Sequence, residues 1–385
     1  MLLLLAYVFD ISSPLTKIPS VILLLLLGWF VKQITDIFHL HTPDLNPLLP
    51  IFGTIGLILI VLEGSLELEL NKSKLPIITK SILNALIPMF ALAFLFAFTF
   101  QYFGQVSYKV ALVNAIPFCV ISSAIAIPSV RNLSPFNKEF IIYESSLSDI
   151  FGVLFFNFIA LNEIINEQSF ANFALELLLI IAISFISVLG LSFLLSRIKH
   201  HITFTPIILM VILIYAVSKV YHLPGLIFIL VFGLFLGNLD ELKRFKWIEK
   251  LKPEKLDKEV KKFKEITVEA TFLIRALFFM LFGFLMEAKE IFNPKTILWA
   301  AGIVLSIIII RWLALKTSKL PTSPLLFVAP RGLITILLFL SILPEQTFAL
   351  VNKALIIQTI ILSVLVMMFG IMASGKTVTK TIHNV

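Results

Sequence analysis

Glu144 and Asp149 stand inside the segment YESSLSDIFGVLFF, residues 143–156, whose other members are apolar or carry only a hydroxyl. On a helix turning by 100° per residue, Ser145 and Asp149 are four apart and share a face. Glu144 and Asp149 are five apart and point about 140° away from each other. Two carboxylates on different faces suit two roles. One can face an aqueous cavity with a hydroxyl beside it and bind a proton or a small cation. The other can face a neighbouring helix and pair with an arginine. An alternative stays open at this point, in which both carboxylates pair structurally with Arg311 and Arg331 and bind no ion.

The elements that must position these residues follow from composition. Of the 385 residues 59% are hydrophobic and 14% are charged, against about 45 to 50% apolar residues in a soluble domain. A bilayer core of about 30 Å needs roughly 20 mostly apolar residues per helix, and such stretches recur along the whole chain. The reading is an all-α polytopic membrane protein with about 13 transmembrane helices. They are placed near 1–14, 16–34, 48–70, 75–103, 108–130, 137–161, 170–197, 203–218, 223–239, 266–288, 294–315, 323–343 and 347–372. The opening MLLLLAYVF lacks a basic flank and a small-residue cleavage site, so it is read as a helix and not as a signal peptide. An ionisable group at mid-bilayer costs at least about 2.5 to 3.5 kcal/mol, so each one needs a partner or a task. The ones so placed are Glu63, Glu144, Asp149, Arg275, Arg311 and Arg331, with Glu176 and Glu269 nearer helix ends.

A net charge of +8 raises the question of nucleic acid, which the distribution of charge answers. Of 31 Lys and Arg, the three set aside as intramembrane are Arg275, Arg311 and Arg331; with the N-terminus outside, 22 of the remaining 28 fall toward the inner side and 6 toward the outer. That bias follows the positive-inside rule and puts the C-terminus in the cytoplasm. The largest basic cluster, residues 240–265, reads as a cytoplasmic loop lying on anionic lipid. No nucleic-acid partner is expected. Phosphate-cradling glycine loops, zinc spacings and a serine nucleophile elbow are absent from the sequence, so no cofactor is expected and no catalytic residue is assigned. His39 with His41, and His200 with His201, lie in loops without further ligands. The single Cys119 excludes an internal disulfide.

Two of the apolar segments are interrupted. ALVNAIPFCVISSAIAIPSV, residues 111–130, carries Pro117, Pro128 and the pair Ser122 and Ser123. LPTSPLLFVAPRGLITILLF, residues 320–339, carries Pro321, Pro324 and the run Ala329, Pro330, Arg331, Gly332. Such breaks free backbone groups that lipid cannot satisfy, and they are tolerated only where protein or a wet cavity lines them. They fall in the fifth and twelfth helices, which correspond if residues 1–165 and 203–372 are two six-helix repeats joined by a linker helix at 170–197. The odd spacing makes the repeats inverted. Paired interruptions at matching positions point to a transporter's site, placed where the breaks meet the sixth helix and Asp149.

These residues together resemble the monovalent cation:proton antiporters, the sodium/hydrogen exchanger family. YESSLSD is similar to that family's ESLLND pattern. CVISSAIAIPSVRNL, residues 119–133, resembles its broken fifth helix, and VLEGSLELE, residues 61–69, its FEGGLELD signature. PRGLITI, residues 330–336, resembles GLRGAVSL, while RALFFMLFGFLME and IIIIRWLAL fit the tenth and eleventh helices. The resemblance covers nearly the whole chain. It implies the Na+/H+ antiporter-like fold with broken crossing helices, and a homodimer in the cell membrane, of the bacterial inner-membrane kind. It also implies exchange of a monovalent cation for H+ by alternating access. Asp149 would hold the cation and the proton in turn. Ser145, Ser122, Ser123 and Glu63 would complete the cation's oxygen shell. Glu144 would pair with Arg311, and Arg331 would compensate charge at the second break.

The departures from the family pattern set the finer expectations. Ser148 occupies the place where electrogenic members carry a second Asp, so one site carboxylate implies electroneutral exchange. Arg275 could act as the basic residue some members use. Na+ is the expected cation, with K+ or Li+ open, because hard oxygen ligands suit all three. A K+/H+ antiporter of the potassium-efflux type is the nearer rival, since SSAIAIP leans that way. Its nucleotide-binding domain would then be a separate chain. From another class, a membrane-embedded enzyme would need carboxylates and basic residues clustered in loops, and these loops are short and poor in them. Membrane lipids are the remaining expected partner.

Overall fold

The computed structural model describes residues 2–16, 18–68, 71–197, six positions between 211 and 218, 225–238 and 253–382. All regular structure among them is helical: α1 (Leu2–Thr16), α2 (Ser20–Ile37), α3 (Leu48–Glu67), α4 (Leu75–Gly104), α5 (Tyr108–Ala115), α6 (Ser123–Ser129), α7 (Pro135–Leu161) and α8 (Glu167–Arg197). After these come α9 (Gly225–Gly237), α10 (Pro253–Phe284), the single turn α11 (Ala288–Ile291), α12 (Pro294–Thr317), α13 (Leu333–Leu340) and α14 (Lys353–Ile382). Among the described residues nine segments are long and apolar enough to cross a membrane, and Leu2–Ser12 and Gly225–Gly237 are shorter apolar helices. The helix expected near 203–218 and the first half of the basic cluster lie largely outside the described residues.

The helices stay apolar around their circumference, as spans in lipid do. On α12, Leu298, Leu305, Ile309 and Leu313 are exposed while Ile303, Ile307 and Leu315 are buried. Boundaries follow local chemistry. Ser107 caps α5 by accepting from the Val110 N–H at 3.3 Å. Asn293 caps α12, with Pro294 as its first helical residue. The second helix starts at Ser20, behind Pro19, and not near 16.

α10 departs furthest from expectation. It begins at Pro253, so the second half of the segment read as a basic loop is helix continuous with the next span. Val260, Phe263 and Thr267 recur at helical spacing and are buried, which gives this charged stretch one apolar stripe.

The chain divides into two compact units, one of Met1–Leu57, Thr79–Ala160 and Leu273–Val385, the other of Ile58–Ile78 and Leu161–Phe272. In the smaller unit α8 packs on α9. Asn238, just past α9, donates to the Leu68 carbonyl at 2.8 Å, and Thr271 donates to the Leu59 carbonyl at 3.3 Å. In the larger unit α2 and α10 approach backbone to backbone. A Cβ at Gly28 would collide with the Met280 carbonyl, and one at Gly283 with the Leu25 carbonyl. Small residues at such a contact allow the close packing on which helix association in lipid depends. The larger unit also contains α5, α6, α7, α12, α13 and α14, and with them both interrupted segments.

Candidate functional site

α5 runs on through a short 3-10 turn, Ile116–Phe118, and stops; α6 restarts at Ser123. The second interruption has a matching form. A 3-10 turn at Leu325–Phe327 leads into non-helical backbone at 328–332, and α13 begins at Leu333. Backbone N–H groups freed in this way must be bonded elsewhere, and five of them have traceable partners. Ile121 N–H donates to Ser148 Oγ at 3.0 Å, Ser122 N–H to the Pro330 carbonyl at 2.9 Å, and Ser123 N–H to Asp149 Oδ2 at 3.3 Å. On the other side, Arg331 N–H donates to Ser363 Oγ at 2.9 Å and Gly332 N–H to Thr335 Oγ1 at 3.3 Å. The two breaks therefore cross, joined by the bond from Ser122 to Pro330, with α7 closing one side.

Asp149 is buried on α7 and turned toward the first break. Its Oδ2 accepts from both the N–H and the hydroxyl of Ser123. Its Oδ1 has no hydrogen-bond partner, and neither has the buried Ser122 hydroxyl. A carboxylate oxygen and a hydroxyl left unpaired in a buried place cost free energy unless something else binds them. Together they offer oxygen donors of the kind that suit a hard monovalent cation or a proton.

Glu144, on the other face of α7, is fully buried and pairs with Arg311 on α12 in fork-to-fork geometry. Nη1 and Nη2 lie 2.8 Å from Oε1 and Oε2, and Arg311 Nε donates to the Leu325 carbonyl at 2.8 Å. One guanidinium thus ties α7, α12 and the turn before the second break. Bidentate pairing of this kind adds geometric definition as well as energy. Arg331 is also buried, and carbonyls hold its guanidinium: Nε donates to Phe118 at 2.6 Å, in the first break, and Nη1 to Ala329 at 2.8 Å, in the second. Positive charge is favourable where interrupted helices present unpaired carbonyls.

Of the residues expected at the site, the structure brings together Asp149, Ser122, Ser123, Ser148 and Arg331 at the crossing, and it pairs Glu144 with Arg311. Ser145 is buried, and its hydroxyl donates to the Ile141 carbonyl of its own helix at 2.7 Å; the hydroxyl that meets Asp149 is that of Ser123. Ser148 is turned to the first break, where it accepts a backbone N–H. Arg275 is buried on α10, in the same unit as Asp149. Glu63 lies half-buried on the part of α3 that belongs to the smaller unit.

Several supporting residues escaped the sequence reading, which searched the spans for charges. Ser363 and Thr335 satisfy the second break. Asn114 donates to the Gln346 carbonyl at 2.7 Å, while Gln346 donates to the Ala160 carbonyl at 3.2 Å and so joins α5 to the end of α7. Asn84 on α4 donates to Ser318 Oγ at 2.8 Å. A search for hydroxyls and amides inside apolar segments would have found Ser363, Thr335, Asn114 and Asn84, whereas Gln346 lies in the turn between the last two spans.

The family model described as "Sodium/hydrogen exchanger, transmembrane" matches residues 1–376. In three dimensions the chain is similar to the sodium proton antiporter MjNhaP1 from Methanocaldococcus jannaschii at pH 8. The identity is 20%, 96% of this chain and 93% of that chain are covered, and the TM-score is 0.64. A second structure of MjNhaP1, from electron microscopy, gives 20% identity, 97% and 93% coverage, and a TM-score of 0.65. These likenesses establish the fold. No curated protein sequence matches the chain.

Proposed function

The chain belongs to the sodium/hydrogen exchanger family, whose members are cation/proton antiporters, and from that premise we propose that it exchanges Na+ for H+ one for one, with Asp149 as the shared binding group. The observation that carries this reading is the unpaired Asp149 Oδ1, on a carboxylate bonded to Ser123, together with the unpaired hydroxyl of the preceding Ser122, at the crossing of two broken helices.

The chemistry is competition. A single carboxylate in a low-dielectric site is neutralised either by a proton or by a cation. Loading of one therefore expels the other. Ser123 orients Asp149 through Oδ2 and leaves Oδ1 for the cargo. Ser122, Ser145 and backbone carbonyls of the break supply further oxygens, and Glu63 is the other carboxylate assigned to the cation's oxygen shell. Arg331 offsets the carbonyl ends of both breaks, while Glu144 and Arg311 keep α7 and α12 in register as the bundle moves. Ser148 holds the Ile121 N–H where a second carboxylate would add a charge, which favours electroneutral exchange. Arg275 stands by as a basic group whose proton could alter that count. A homodimer working by alternating access in a bacterial inner membrane, N-terminus outside and C-terminus cytoplasmic, completes the reading.

The test uses inside-out vesicles carrying a respiration-driven pH gradient, with Na+, Li+ or K+ added in turn. Dissipation by Na+ that is absent in Asp149→Asn supports the proposal. Dissipation by K+ alone would assign the chain to potassium exchange, and indifference to every cation between pH 6 and 9 would refute exchange through Asp149.

A further inference from the structure

The last turns of α4 and the first turns of α12 enclose a groove of about 410 Å³, away from the crossing. Phe96, Phe100 and Phe103 form one wall, Trp299 and Gly302 the other. Trp299 meets Phe103 edge to face with ring centres 5.1 Å apart, and Phe100 at 6.4 Å. A Cβ added at Gly302 would find no atom within 4 Å, so the groove is open there. Its two hydroxyls are already bonded, Thr99 to the Leu95 carbonyl and Ser306 to the Gly302 carbonyl, each at 2.8 Å. Among the described residues its lining carries no charge. Nothing in this space attracts water, and both helices are membrane spans, so the groove suits hydrocarbon.

Charge at one end narrows the occupant. Lys295 is exposed and lies one turn before Trp299. At 100° per residue, positions 295, 299, 302 and 306 fall within about 60° of one another. That stripe runs along the groove and ends at the exposed Lys295. We propose that the groove binds one acyl chain of an anionic glycerophospholipid whose phosphate is held by Lys295. The site bears on the crossing as well. Phe100 packs edge to face on Phe118 at 6.1 Å, and the Phe118 carbonyl accepts from Arg331. A chain in the groove therefore braces the wall behind the first break.

Native mass spectrometry of the purified full chain, offered phosphatidylglycerol or phosphatidylcholine, tests this without any assay of transport. One lysine near an anionic headgroup corresponds to about a fivefold preference. The expected result is retention of phosphatidylglycerol about fivefold over phosphatidylcholine, a preference lost in Lys295→Gln. Gly302→Leu, which projects into the open groove, should lower retention of both lipids while its lipid-free thermal midpoint stays near that of the wild type. Equal retention of the two lipids by the wild type, or undiminished binding by Gly302→Leu, would overturn the proposal. So would a switch from dimer to monomer in Gly302→Leu with lipid retention unchanged, which would put a second copy of the chain in the groove.

Discussion

Asp149 and Glu144 are five residues apart on one helix and face opposite tasks, so their neutral variants should separate activity from stability. Asp149→Asn keeps the shape of the side chain and removes the charge that cargo neutralises. Cation-dependent proton flux should fall to background while the thermal midpoint stays close to wild type. Retained flux would move the carrier role elsewhere. Arg311→Met does the reverse and leaves Glu144 buried without its fork-to-fork partner. Loss of one member of such a pair costs about 3 to 5 kcal/mol, whereas replacing both by apolar residues is often near neutral. Arg311→Met combined with Glu144→Leu should therefore regain most of the stability lost in the single variant, read from thermal midpoints in detergent. At this scale the sequence was legible for charges, because an intramembrane arginine and carboxylate demand each other. It was opaque for Ser145, Ser123 and Ser148. Which hydroxyl meets Asp149, and which one holds the Ile121 N–H, depends on where the helix unwinds to within one residue.

The interrupted elements were legible for a related reason: proline and glycine in an apolar segment announce backbone groups that need partners. Their crossing was legible only as an inference from paired placement, and the partners themselves, Ser363, Thr335 and Pro330, were not. α10 marks the opposite failure. A search for long apolar runs passes over a charge-rich stretch whose Val260, Phe263 and Thr267 form one buried stripe. At the crossing, Gly332 has no Cβ to separate the two breaks: one added there would strike the Ile125 side chain and stand 2.8 Å from Ser122 Oγ. Its backbone is extended, so proximity and not backbone strain sets the requirement for glycine. Gly332→Val should thus destabilise the protein by about 1 to 3 kcal/mol through overpacking and should raise the KM for the cation by displacing Ser122. A variant with wild-type KM and thermal midpoint would mean that the two breaks are not packed together in the working protein.

For the whole molecule the charge moved per cycle is the sharpest remaining prediction. Each elementary charge crossing 100 mV gains or loses about 2.3 kcal/mol, which shifts the balance of an electrogenic cycle roughly fifty-fold. A one-for-one exchanger feels none of this. In proteoliposomes clamped with a potassium ionophore, the steady pH gradient set by a fixed Na+ gradient should be the same at inside-positive and inside-negative potentials. Ser148→Asp offers a direct contrast. It places a second carboxylate beside the first, where it can still accept the Ile121 N–H and can also carry a second proton. That variant should acquire a response to the imposed potential. A wild type that already responds would mean that a group other than Asp149 titrates in the cycle, with Arg275 and Glu63 as the buried and half-buried candidates within the spans. The same recording with Arg275→Gln and Glu63→Gln would tell which one it is, because removing the responsible group should make the gradient indifferent to potential.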